Sequence, residues 1–353
     1  MVQEKKVLIV GLGIAGSVLA HTFRKRKIDF SVVDSPSASQ SSRIAAGIWN
    51  PIVFKRMTKS WMADEVIPAM HSFFQEGEVF CNTKWLRKKK MLKFFTEKNE
   101  ADLWEKKYSE LNGFIDKTIY FDCDALPRGI SSPAYGYSYV TESGNIDSKN
   151  FITSTRRWLE NESRYQEKNF QFEKQNQIKD KYLFENCFYD AVILCEGWNS
   201  MHNPFFGAVK FKPAKGELLH FHSEGLNLDD ILNKGVFILP MGKGEFACGA
   251  TYEWNELNDE TTQQRQEQLE KQLQQLVTIP YKVVGRFAGV RPSVMDRRPV
   301  IGSHPEISSL CIFNGFGTKA VMLTPYFAEH FCDYLIEGKN LVKDVDVLRF
   351  FKN

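Results

Sequence analysis

Apolar and polar positions change period several times along the chain, and each change marks an element. Val7-Leu8-Ile9-Val10 is a short apolar, β-branched run that predicts a strand buried on both faces. Beyond Gly11-Leu12-Gly13-Ile14-Ala15-Gly16, the apolar residues Val18, Leu19 and Phe23 take a helical spacing. Phe30-Ser31-Val32-Val33 predicts a second strand, which stops at Asp34. Residues 182–200 read as two strands and a glycine turn. The stretch 216–252 alternates as antiparallel sheet does, most clearly in Glu217-Leu218-Leu219-His220-Phe221. Leu269, Leu273, Leu276 and Val277 form the apolar face of a helix predicted over 261–277, with Gln and Glu outside. A last helix is predicted from Pro325 to Ile336, with Gly338 as its C-cap.

A chain of 353 residues is long for one core, so two domains, or one with a large insertion, are expected. Its net charge of +3 is too small to imply nucleic-acid binding. The seven cysteines are scattered, odd in number and never spaced C-x-x-C. That argues against a disulfide framework or zinc knuckle and for a reducing compartment. No run of about 18 apolar residues occurs, and the N-terminus enters a strand with no room for a signal peptide. A cytoplasmic protein without membrane partners is expected.

The first fifty residues carry the chemistry most plainly. Strand, G-x-G-x-x-G, helix, strand and acid follow one another as a dinucleotide-binding unit requires. Gly11 allows the tight turn, Gly13 a close approach to pyrophosphate, and Gly16 close helix–strand packing. Ile14 and Ala15 open a helix whose free N–H groups and dipole favour phosphate. Asp34, 18 residues after Gly16, is placed to accept ribose hydroxyls, with Ser35 beside it. The motif does not separate FAD from NAD. The small residues of Ser41-Ser42-Arg43-Ile44-Ala45-Ala46-Gly47-Ile48 then allow backbone to approach a flat or phosphorylated ligand.

With these residues, several later segments resemble the D-amino acid oxidase, glycine oxidase and sarcosine oxidase family of flavoproteins. They are Ala46-Gly47-x-x-x-Pro51, Gly144-Asn145-Ile146-Asp147, Val192–Ser200 with Gly197, and Lys215-Gly216-Glu217. Further on come Phe237–Pro240, Gly249–Tyr252, Gly289–Pro292 and Asn314–Lys319. The resemblance spans nearly the whole chain. It implies an α/β fold, with a Rossmann-like FAD-binding domain assembled from 1–55, 140–206 and 284–353. It also implies an antiparallel-sheet α+β substrate domain from 56–139 and 207–283. Fragments such as Gly249-Ala250-Thr251-Tyr252 and Gly315-Phe316-Gly317-Thr318-Lys319-Ala320 are similar to the oxidase domain of the bifunctional enzyme that makes methylaminomethyl-thiouridine in tRNA. Thr318, Lys319 and Ala320 replace Ser, Arg and Gly there, and with the first strand beginning at residue 7 no partner methyltransferase domain is expected.

The same resemblance implies site residues. Arg291 stands where the family binds a substrate carboxylate, and its planar fork suits that task; a surface salt bridge is the competing reading. Lys319 is a second candidate cation, and Tyr252 a candidate hydroxyl. Phe237 replaces a glycine-oxidase tyrosine, which favours a more apolar or larger substrate. Gly315, Phe316, Gly317 and Thr318 precede a helix whose N-terminus would face the flavin ring and stabilise negative charge there. No cysteine occurs in 285–303, where sarcosine oxidase-like relatives attach flavin, so FAD is expected to be non-covalent.

Other features carry less. His220 and His222 face one side of a strand without a third metal ligand in view, and no metal is expected. Asp122 and Asp124 read as a solvated turn. The basic run from Lys84 to Lys93 could bind RNA phosphate and stack a base on Trp85, or be an exposed edge kept soluble by lysine. The expectation is an FAD-dependent oxidoreductase acting on a small secondary amine or amino acid. Hydride would pass to flavin N5, the imine would be hydrolysed, and oxygen or another acceptor would follow. The alternatives are a tRNA-modifying oxidase acting on a carboxymethylaminomethyl uridine and a flavin-binding protein without turnover.

Overall fold

The computed structural model describes residues 5–35, 41–122 and 124–351. Its first sheet has six strands, in the order Tyr165–Glu167, Asp29–Asp34, Lys6–Val10, Ala191–Leu194, Leu310–Asn314 and Val300–Ser303. The first five run parallel and the last is antiparallel. Near-continuous apolar strands make this possible, because both faces are covered. Val7, Ile9, Ile193, Cys311 and Phe313 turn to one face, against helices Ile14–Lys25, Ala63–Cys81, Ser148–Asn161 and Ala320–Glu337. Leu8, Val10, Val192, Leu194 and Ile312 turn to the other, against Tyr182, Tyr189 and Phe206.

The second sheet has seven strands: Lys282–Arg291, Ala214–His222, Glu245–Gly249, Val236–Gly242, Ile231–Lys234, Met91–Phe94 and Tyr137–Val140. Helix Gln263–Gln274 covers one face with Leu269 and Leu273, and helix Lys98–Leu111 covers the other with Trp104 and Leu111. The mixed α/β architecture with a separate antiparallel-rich sheet is as expected.

Several details differ from the sequence reading. Strand Lys282–Arg291 pairs with Ala214–His222 from Ala214↔Arg291 to His222↔Lys282, so residues 284–291 join the second sheet and not the first. Helix Ala63–Cys81 buries Val66, Ile67, Met70 and Phe74 in the core of the first sheet, where substrate-domain structure was expected. The predicted 261–277 helix ends at Gln274; Leu276 and Val277 are buried beyond it. The last helix begins at Ala320, a turn before Pro325, and Gly338 ends it in the left-handed region at φ 68°. The Gly144–Asp147 segment supplies an N-cap: Asp147 accepts the Asn150 N–H at 3.1 Å.

The basic run does not offer a stacking face. Trp85 is 0% exposed and packs on Phe151, with ring centroids 4.9 Å apart, so it cannot receive a base. Lys93 is also buried, beside Glu100 at 3.3 Å. Among the described residues no group of His, Cys, Asp and Glu is arranged to hold a metal. No described helix is long and apolar enough to cross a membrane.

Candidate functional site

The carboxyl ends of five parallel strands open into one cavity of about 1520 Å³. Gly11, Ser35, Lys168, Cys195 and Gly315, each one residue past a strand, all line it. Lys6–Val10 lies at the centre of the sheet, with the chain continuing to Asp29–Asp34 on one side and Ala191–Leu194 on the other. A reversal of this kind leaves a crevice above the sheet.

At one end the glycines set the shape. Gly11 has φ +99°, and a Cβ there would lie 2.6 Å from the Cys195 carbonyl oxygen. Gly16 abuts the same turn from behind: a Cβ would sit 1.9 Å from the Gly11 carbonyl oxygen. Asp34 accepts the Leu12 N–H at 3.0 Å and is 8% exposed. Burial raises its pKa, against the lowering effects of that N–H and of Arg43 and Arg156. Ser42 Oγ accepts the Ile14 N–H at 3.2 Å and Ser41 Oγ the Val290 N–H at 3.0 Å, so the two serines tie the helix start to the second sheet.

Gly13, Ile14, Ala15, Ala46, Gly47, Ile48 and Gly197 line the same cavity, as do Phe316, Gly317 and Thr318. Two expected contacts do not. Gly16 lies behind the turn, and Arg43 acts on the site through its charge on Asp34. Lys168-Asn169-Phe170-Gln171 form a wall beside Asp34 that the sequence reading missed. They arrive because Lys168 N donates to the Asp34 carbonyl at 2.9 Å, a pairing that local patterning does not announce. Asn314 was also missed. Its amide joins the last strand to the Gly197 turn, donating to Gly197 O at 2.8 Å and Ser200 Oγ at 2.7 Å.

The far end is built by the second sheet and the 314–319 loop. Arg291 closes strand Lys282–Arg291, with Nη1 donating to the carbonyls of Lys215 at 3.4 Å and Thr251 at 3.3 Å. Its guanidinium lies 4.5 Å from the centre of the Tyr252 ring, which stacks with Trp254. No described carboxylate pairs with it, which disposes of the salt-bridge reading. Lys319 Nζ donates to the Asn50 carbonyl at 2.7 Å and also lacks a described carboxylate partner; burial pushes its pKa down to about 8. Phe237 lines this end, its ring edge against Gly249. Tyr252 is 49% exposed, so its hydroxyl is at the mouth and not in the depth. The arrangement has two cations without described carboxylate partners at one end and the glycine turn with Asp34 at the other.

Comparison with known proteins agrees. The family model described as FAD dependent oxidoreductase (DAO) matches residues 6–334. A glycine oxidase of Bacillus subtilis (strain 168) is 30% identical over 160 residues, 43% of this chain and 42% of that one. One of Bacillus licheniformis is 27% identical over 150 residues, 41% of each. These alignments thus span under half the length of the curated relatives. The crystal structure of a glycine oxidase from Geobacillus kaustophilus superposes with a TM-score of 0.81 at 18% identity, covering 98% of each chain. An iminodiacetate oxidase from Chelativorans sp. superposes with 0.80 at 16% identity, covering 95% of this chain and 96% of that one. The shared fold runs the length of the chain, and the match from strand Lys6–Val10 to helix Ala320–Glu337 makes the protein a member of the DAO family of FAD-dependent oxidoreductases.

Proposed function

We propose that the protein oxidises the C–N bond of a small amine or amino acid. The observation that carries this is Arg291, a cation without a described carboxylate partner, in the same cavity as the glycine turn and Asp34. FAD held here would supply the two-electron oxidation of the carbon beside nitrogen, with oxygen or another acceptor as final oxidant, and water would hydrolyse the imine. Asp34 would hold the ribose hydroxyls, and the N–H groups of Gly13 and Ala15 would face the pyrophosphate. Arg291 would grip a substrate carboxylate with its fork and so aim the carbon that reacts. The relatives named glycine oxidase and iminodiacetate oxidase support this class of substrate. We also propose non-covalent attachment: among the described residues the one cysteine lining the cavity, Cys195, is kept protonated by burial, which pushes its pKa far up.

The test is anaerobic addition of glycine, sarcosine, D-alanine, D-proline and tRNA bearing carboxymethylaminomethyl uridine to the FAD-loaded protein. Bleaching by a small amine or amino acid is expected. Bleaching by the tRNA alone would replace this reading with RNA modification, and bleaching by none would leave a flavin-binding protein.

Gly216 offers a second check. A Cβ there would lie 2.0 Å from Arg291 Nη2, so even alanine forces the guanidinium to move. Gly216→Ala is expected to lower kcat/KM roughly ten- to a hundredfold, the loss of one hydrogen-bonded charge contact, while the flavin spectrum stays intact. An unchanged kcat/KM would show that Arg291 is not positioned by this close approach.

A further inference from the structure

Two cations, not one, reach the substrate end of the cavity. Among the described residues the polar partners of Arg291 are two carbonyl oxygens, with the Tyr252 ring beside it, and that of Lys319 is the Asn50 carbonyl. Burial disfavours the charge on both. The two described carboxylates that line the cavity are committed elsewhere. Asp34 receives the Leu12 N–H, and Glu196 receives Ser200 Oγ and Asn203 Nδ2 at 3.3 and 3.0 Å. Both stand at the ends of first-sheet strands, on the dinucleotide side.

The rim has the same sign. Arg56, Lys212 and Arg297 line the cavity, are exposed, and make no ion pair with any described residue. The segments of Lys212 and Arg297 meet the loop that carries Lys319: Lys212 N donates to Ser293 O, and Ser293 bridges to Phe316. A cleft lined by one sign of charge concentrates ligands of the other sign. One carboxylate fills an arginine fork, because two parallel N–H···O bonds use both of its oxygens. A monocarboxylic amino acid would therefore leave Lys319 uncompensated in the same pocket.

We propose that the substrate is an amine carrying two anionic groups, one held by Arg291 and the other by Lys319. This rests on reading the cavity as an amine-oxidising site and narrows its substrate class. Lysine suits the second group, since a point cation accepts carboxylate or phosphonate without demanding a planar partner.

The test uses FAD-loaded protein and unreactive acids, read by the change in flavin absorbance on titration and not by turnover. Acetate and butyrate are compared at constant ionic strength with malonate, succinate, glutarate and phosphonoacetate. At least one of the doubly charged acids is expected to bind about tenfold or more tightly than its singly charged counterpart, the effect of one further charge-assisted hydrogen bond. Malonate against phosphonoacetate distinguishes carboxylate from phosphonate as the second group. Lys319→Met should erase the advantage and Lys319→Arg should retain it. If Lys319→Met does not load FAD, the comparison of acids on the unaltered protein and on Lys319→Arg still decides. Equal affinity for singly and doubly charged acids would overturn the proposal. So would an equal loss for both classes in Lys319→Met, which would assign the lysine to the cofactor alone. These outcomes are separable from failure of the oxidase reading. A protein bleached by amines but indifferent to the second charge sinks only this proposal. One that prefers dianions but is bleached by no amine sinks only the oxidation.

Discussion

Arg291→Met is expected to lower kcat/KM for the substrate by a factor of about thirty to several thousand, while FAD stays bound. The range follows from removing one partner of a buried, hydrogen-bonded charge pair, which costs roughly 2–5 kcal/mol. Methionine keeps much of the stem's volume, so the loss reads the charge and fork and not a cavity. The guanidinium is on the second sheet, whereas the dinucleotide cradle is on the first, which is why cofactor binding should survive. Steady-state and single-turnover kinetics separate the outcomes. A fall in kcat as well as kcat/KM means the arginine aims the reacting carbon. A rise in KM alone means it only holds the substrate. Arg291→Lys should recover part of the activity but not all, because an ammonium is a point charge without the fork. Full activity in Arg291→Met would remove the residue from the site.

Gly16→Ala is the second large effect, and here two forces compete. In the interior of a helix, alanine in place of glycine ordinarily stabilises by about 0.5–1 kcal/mol. At this position the added Cβ would be 1.9 Å from the Gly11 carbonyl oxygen, a backbone atom that cannot swing aside. Overpacking of this kind costs typically about 1–3 kcal/mol, and what must yield is the turn that faces the pyrophosphate. Overpacking should win. The variant is expected to unfold at lower temperature and to bind FAD at least tenfold more weakly, the effect of about 1.4 kcal/mol. Equilibrium FAD titration and thermal melts check both parts. A more stable variant with unchanged FAD affinity would show that helix propensity dominates and that the close approach is not required.

The same two sites show how far residue patterning reaches. The dinucleotide unit was legible because its information is local: a buried apolar run, glycines at fixed spacing, a helical period and one acid fall within about thirty residues. Glycine carries that information without a side chain, and Gly16 does so from outside the cavity. The arginine and lysine at the far end were legible only through resemblance to known flavoproteins. Nothing in their neighbours' periodicity distinguishes a cation in a cavity from one on the surface. The Lys168–Gln171 wall was not legible at all, because Asp34 and Lys168 meet through strand pairing across more than a hundred residues. Trp85 is the opposite case. A tryptophan among lysines leaves a stacking face open as one reading, yet the ring is buried against Phe151 and Gly77 while Lys84, Arg87 and Lys88 are exposed. Strand alternation over 282–291 also left open which sheet the strand joins, since period reports a face and not a partner.

What the cavity holds can be read directly from the absorbance spectrum of the purified protein, before and after acid precipitation, with the released cofactor identified by mass. A yellow protein whose flavin comes free in acid as FAD is the expected result, and it would establish both the cofactor and its non-covalent hold. A colourless protein that takes up no flavin even when FAD is supplied would contradict the account at its centre.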